Sequence, residues 1–186
     1  LYYDAASETI IPFWNIWIPE KAATDYAKRF NIRYDLWAKD GHIKIVPGNN
    51  IDFTMVEERI LEINETNTIR MMGYDEWNAK DLAARLQETH GINVVINRQG
   101  KGLSNALKKT KEMITNGKVL HTGNPVVTWT FDNILIKTDD ELNIKIVKPK
   151  DEKKIDPWVS KAMAVNEWMI DIPPTSVYST RGVISI

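Results

Sequence analysis

The alternation of apolar and polar positions along the chain changes period several times, and each change marks an element. Tyr2-Tyr3-Asp4 and the stretch Thr9 to Ile18 carry strand-type residues, with a turn expected over Ala5 to Glu8. Pro19-Glu20 opens a helix through Ala22, Ala23, Tyr26 and Phe30, and Tyr34 to Lys39 adds a short helical turn. Ile43 to Val46 is a strand stopped by Pro47-Gly48. Phe53, Val56, Ile60 and Ile63 then recur at spacings of three and four, the period of a helix with one buried face. From Ile69 the pattern alternates between strand and helix. A strand is expected at Ile69–Tyr74, a helix from about Asn78 to His90, a strand at Asn93–Asn97, and a helix at Ser104–Asn116 closed by Gly117 in a left-handed cap. Pro125 to Asp132 reads as helix with proline in its first turn. Ile134–Lys137 and Asn143–Val147 pair as a hairpin, and a last helix runs from Asp156-Pro157 to about Ile170, before Pro173-Pro174. Strands alternating with helices behind an antiparallel hairpin predict a mixed α/β sheet in a single domain.

Composition excludes several chemistries. With no cysteine among 186 residues, disulfides and cysteine-ligated zinc are absent. No Gly-x-Ser-x-Gly elbow exposes a serine, and no Walker loop cradles a nucleotide. Gln99-Gly100-Lys101-Gly102 reads as a strand-to-helix turn. His42, His90 and His121 lack metal-ligand spacing. No apolar run is long enough to span a bilayer, and no signal peptide is seen. The net charge of −1 gives no overall pull on nucleic acid. Residues 94–154, however, hold twelve Lys and Arg against seven Asp and Glu, while residues 1–93 hold ten against fifteen. That asymmetry suits a phosphate-binding face and equally a solvated lysine-rich surface.

Two carboxylates stand where α/β folds place ligands. Asp75 follows the strand ending at Tyr74, and Asp156 lies between a lysine-rich strand exit and an amphipathic helix. Each has a structural reading of equal or greater weight on spacing alone: Asp75 starts the turn into the next helix, and Asp156, before Pro157, serves as a helix N-cap.

A resemblance adds to this reading. Met71-Met72-Gly73-Tyr74-Asp75-Glu76-Trp77-Asn78-Ala79 resembles the strand-end motif of tailed-phage terminase large subunits, an apolar strand followed by Asp-Pro-Trp-Asn-Ala. Arg98-Gln99-Gly100 with Leu103-Ser104, Gly117-Lys118-Val119-Leu120-His121, Gly123-Asn124-Pro125-Val126, and Lys154-Ile155-Asp156 follow in the family's order. Upstream, Phe13-Trp14 to Glu20 and Pro47-Gly48-Asn49 match, and Val177-Tyr178 with Arg181-Gly182 resembles the family's tail. The resemblance implies a ribonuclease H-like mixed sheet flanked by helices, its first strand missing, in a nuclease domain over residues 1–170 with a tail at 171–186. It implies an endonuclease that cuts concatemeric double-stranded DNA through two divalent metals, Mg²⁺ or Mn²⁺, held by acidic residues. Asp75 and Asp156 carry over as ligands. Lys148 and His121 match family positions near the site, and Lys145, Lys148, Lys150, Lys153 and Lys154 are expected to meet phosphates. The implied partners are the terminase ATPase domain, the small subunit and the portal protein, in the host cytoplasm.

The chain departs from the family in two ways. The family's first aspartate sits on a strand upstream of Tyr2-Tyr3, and Asp4, at a turn, does not replace it, so a chain without that strand is expected to be inactive. Glu76 stands where the family has proline. A non-catalytic DNA-guiding or portal-docking module is the competing reading, and a stand-alone resolvase-like nuclease a third.

Overall fold

In the computed structural model, residues 1–150 and 152–171 are described, apart from the side chain of Asn78. The expected features at Pro173-Pro174 and Val177 to Gly182, and the tail as a whole, lie outside the described residues.

Strands β1 (Tyr2–Asp4) and β2 (Thr9–Ile11) form the expected antiparallel hairpin, with Tyr2 opposite Ile11. Asp4 closes its turn by accepting from the Ala6 amide at 3.1 Å and the Ser7 hydroxyl at 2.6 Å. The second strand does not continue to Ile18. It stops before Pro12, which has no amide hydrogen for the ladder, and a separate strand β3 (Trp17–Pro19) pairs in parallel with β4 (Lys44–Val46). Between these last two strands lie helices α1 (Glu20–Phe30) and α2 (Tyr34–Lys39).

Helix α3 (Phe53–Thr66) begins where the Asp52 carboxylate accepts from the Thr54 amide at 2.8 Å. The strand expected from Ile69 is shorter, β5 (Met72–Tyr74), because the Ile69 amide is bound by the Asn64 side chain at 2.8 Å. Strand β5 runs parallel to β6 (Val94–Ile96), with α4 (Glu76–Glu88) as the crossover. A 3-10 turn at Gly100–Leu103 leads into α5 (Ser104–Thr115). That helix ends as expected at Gly117, whose φ of 67° is a conformation glycine adopts without steric cost. Val119 then bridges Ile10 in parallel.

Helix α6 (Pro125–Phe131) is capped by Asn124, whose side chain accepts from the Val126 and Val127 amides. Strands β7 (Leu135–Thr138) and β8 (Ile144–Val147) form the second hairpin, its turn held by Asp139 accepting from the Glu141 and Asn143 amides. Helix α7 (Asp156–Asp171) completes the described fold.

The architecture is mixed α/β. Among the described residues the strands pair two by two, two ladders parallel and two antiparallel, and helices join the ladders. Helix α7 does most of this. Val165, wholly buried, meets Ile10 of β2 and Ala106 and Met113 of α5. Ala162 and Met163 pack on Leu103, while Trp168 meets the Tyr3 ring at 4.9 Å. Each large apolar side chain so buried contributes roughly 1.5–3 kcal/mol.

Candidate active site

Asp75 is placed by the turn between β5 and α4. Its backbone is extended, with φ −88° and ψ 122°, and its Oδ1 accepts from the Trp77 amide at 3.3 Å, so it is the N-cap of α4. The structural reading of this residue and its position at a strand's carboxyl end therefore hold together. Its other oxygen, Oδ2, accepts from Gln99 Nε2 at 2.6 Å. Gln99 follows the end of β6, the parallel neighbour of β5, so the two strand ends jointly orient one half-buried carboxylate.

A polar cluster lies beneath that turn. Glu167 of α7 and Asn97 are each only 3% exposed. Glu167 Oε1 accepts from Asn97 Nδ2 at 2.7 Å and from Asn166 Nδ2 at 3.2 Å, and Asn166 Nδ2 also reaches Asn97 Oδ1 at 3.1 Å. The Asn97 amide donates to the Tyr74 carbonyl at 2.8 Å, one residue before Asp75. Gly73 makes the approach possible, because a Cβ there would collide with the Asn97 amide group. Sequence reasoning assigned no role to Glu167, Asn97 or Gln99. The available signal for Glu167 was its place four residues after Met163, on the buried face of α7.

Asp156 is exposed and is the first residue of α7. The expected N-cap role passes to Ile155, whose carbonyl accepts from the Trp158 and Val159 amides at 2.9 and 3.2 Å, and the Asp156 carboxylate makes no capping bond. Its negative charge is felt by Tyr34. Burial, then Tyr26, then Asp156 push the Tyr34 hydroxyl up to about 12.

No hydrogen bond or ion pair joins Asp75 to Asp156. The 3-10 turn at Gly100–Leu103 packs against α7. Gln99, which precedes it, holds Asp75, and Leu103 at its end packs with Val159, one turn along from Asp156. Among the described residues no group of three or more His, Asp or Glu is gathered to hold a metal. The donor chemistry of the two carboxylates suits a hard dication, which takes oxygen ligands. Asp156 has both oxygens free of protein hydrogen bonds, and Asp75 retains lone pairs beyond its two.

The lysines differ among themselves. Lys145 on β8 and Lys148 and Lys150 just beyond it are exposed. Lys153 lines an open cleft of about 420 Å³ with Arg33, Trp37 and Trp129. Lys154 is committed to the fold, since its ammonium donates to the Tyr26 hydroxyl at 2.9 Å and sits 4.5 Å from that ring's centre. His121 accepts from the Gly123 amide at 3.1 Å and shapes its own turn. Glu76 is exposed in the first turn of α4, and Asp4 serves the β1–β2 turn.

Known proteins resemble this arrangement. Residues 13–171 match the family described as terminase large subunit, endonuclease domain. The large terminase subunit of Enterobacteria phage HK97 is 27% identical over 84% of this chain and 31% of its own length. Protein YmfN of Escherichia coli K12 is 27% identical over 91% of the chain and 37% of its own. The chain thus spans about a third of the length of the curated relatives it matches. The crystal structure of the HK97 large terminase superposes with a TM-score of 0.77 at 26% identity, over 88% of this chain and 34% of that one. The large terminase nuclease of thermophilic phage G20c, solved with bound magnesium, gives 0.50 at 15% identity over 64% of each chain, a likeness of fold alone. Helices around short mixed strands are thus the ribonuclease H-like fold of terminase nucleases, and on the match over residues 13–171 the chain belongs to the terminase large subunit endonuclease domain family.

Proposed function

We propose that this chain is a metal-dependent endodeoxyribonuclease domain that hydrolyses double-stranded DNA, with Asp75 and Asp156 as metal-holding carboxylates. The observation that carries the reading is Asp75 itself, a half-buried carboxylate fixed by Trp77 and Gln99 at the carboxyl end of a parallel strand, in a chain of this family. A pair of Mg²⁺ or Mn²⁺ ions, when bound, supplies an activated water and charge compensation at the leaving oxygen. The chain's own residues do the rest. Gln99 fixes the direction of the Asp75 carboxylate, and Asp156 supplies a second anionic oxygen group from the start of α7. Lys145, Lys148, Lys150 and Lys153 hold the DNA backbone, and Lys154 keeps its segment in place through Tyr26. The substrate is concatemeric phage DNA in the host cytoplasm, and the partners are an ATPase domain, the terminase small subunit and the portal. Residues 1–170 form the nuclease unit and 171–186 its tail.

One observation favours a second reading, a DNA-guiding or portal-docking module without catalysis: among the described residues, no three acidic groups converge. Supercoiled plasmid decides between them. In a chain extended upstream by the family's aspartate-bearing strand, the nuclease reading expects relaxed and linear products with Mn²⁺ or Mg²⁺ and none with chelator, and this chain by itself is expected to cut little or not at all. DNA binding by the extended chain without cleavage under either metal favours the guiding module.

A further inference from the structure

We infer that the indole of Trp77 is a DNA-positioning group that stacks on a base or deoxyribose beside the phosphate held at Asp75. The inference rests on the nuclease reading above and adds a contact that the metal-holding residues do not supply.

Trp77 is 86% exposed, more than any other large apolar side chain among the described residues. The exposure is built into the helix. Leu82, Ala83 and Leu86 turn the apolar face of α4 into the core, and Trp77, the second residue of the helix, lies off that face. Its indole has neither a ring partner nor a hydrogen bond, whereas Trp14, Trp37, Trp129, Trp158 and Trp168 each pack against another aromatic ring. Beside a candidate site, a large ring left in water is available for contact with what binds there.

The position of the ring identifies what covers it. The backbone amide of Trp77 donates to Asp75 Oδ1 at 3.3 Å, so the side chain leaves the helix two residues from the carboxylate. A backbone phosphate at Asp75 brings its own sugar and base to the same end of α4. Exposed Lys80, one turn along the helix, and exposed Arg98, next to Gln99, add two positive charges to the acidic surroundings made by Asp75, Glu76 and Asp81. Aromatic rings combined with cations hold single-stranded nucleic acid without reading its sequence, since every base has a face to stack, and an apolar side chain wedged between the base steps of a duplex reaches the same faces.

The test is fluorescence anisotropy of an end-labelled DNA duplex in Ca²⁺, comparing the wild-type chain with Trp77→Ala and Trp77→Phe. Trp77→Ala is expected to bind about fivefold to a hundredfold more weakly, with Trp77→Phe recovering most of the loss. The slope of affinity against salt is expected to stay unchanged, because no ionic contact is removed. Thermal melting and Mn²⁺ titration of the variants should match wild type. Unchanged binding in Trp77→Ala, or equal loss in both variants, overturns the inference and points to a ring covered by protein. A wild-type chain that binds no duplex overturns the nuclease reading as well, so the two failures are distinguishable.

Discussion

Gly73→Ala should damage this protein more than any surface change, and the reason lies beneath the candidate site. The added methyl collides with the Asn97 amide group and comes within 3.1 Å of Glu167 Cγ and 3.2 Å of Asn97 Cγ. Asn97 must move, and with it the 2.7 Å hydrogen bond to Glu167, a carboxylate only 3% exposed. Overpacking costs about 1–3 kcal/mol, and loss of the shorter of the two hydrogen bonds to buried Glu167 Oε1, which keeps Asn166 as a donor, costs about 1–2 kcal/mol more. The sum is about 2–5 kcal/mol. With a urea dependence of about 2 kcal/mol per molar, the unfolding midpoint should fall by about 1–2.5 M. Asn97→Ala removes the colliding group, so Gly73→Ala added to it should cost little. The double-mutant cycle should therefore show a coupling close to that whole cost, about 2–5 kcal/mol. A midpoint for Gly73→Ala within about 0.3 M of wild type, or costs that simply add, would refute the packing account.

Three other outcomes are expected. Lys101, at 2.9 Å, is the main reason the Asp139 carboxyl is held down to about 2, so this clamp on the β7–β8 turn stabilises the fold above about pH 4 and is lost as pH falls toward 2; Lys101→Met should flatten that acid limb in urea midpoints measured from about pH 5 downward. Lys161, 3% exposed over the Trp158 ring, is lowered by burial to about 8, so the unfolded chain binds more protons between there and 10.5; stability should rise with pH across that window, and Lys161→Met should be more stable at pH 7 and lose the rise. Alanine at Lys145 or Lys150 should each lower the salt slope of duplex binding by up to about 0.9 without moving the melting temperature, whereas Lys154→Ala, which breaks the Tyr26 contact, should lower the melting temperature.

The elements legible in the sequence were those with local punctuation. Pro19-Glu20, Gly117, Asn124-Pro125 and the Asp139 turn each determine nearby backbone by their own chemistry, and the structure places helix ends and the hairpin there. Elements fixed by distant partners were less legible. The break at Pro12 was readable in principle, but the parallel pairing of β3 with β4 depends on residues 25 or more positions apart. The shortening of β5 depends on a side chain, Asn64, that carries no strand signal. At the site, Asp75 was legible because a carboxylate at a strand end belongs to a recognisable motif. The Glu167–Asn97–Gly73 contact joins Glu167 to residues 70 and 94 positions before it, and pattern along the chain does not encode such a meeting.

The account's central claim is that Asp75 and Asp156 act together at one metal site, and paramagnetic broadening by Mn²⁺ tests it most directly. In a nitrogen-15 spectrum with substoichiometric Mn²⁺, amide signals of residues 74–77 and 99 should broaden together with those of residues 155, 156 and 158. Asp75→Asn and Asp156→Asn should each weaken both sets. Broadening confined to one set, or loss of one set alone in either variant, would contradict the shared site.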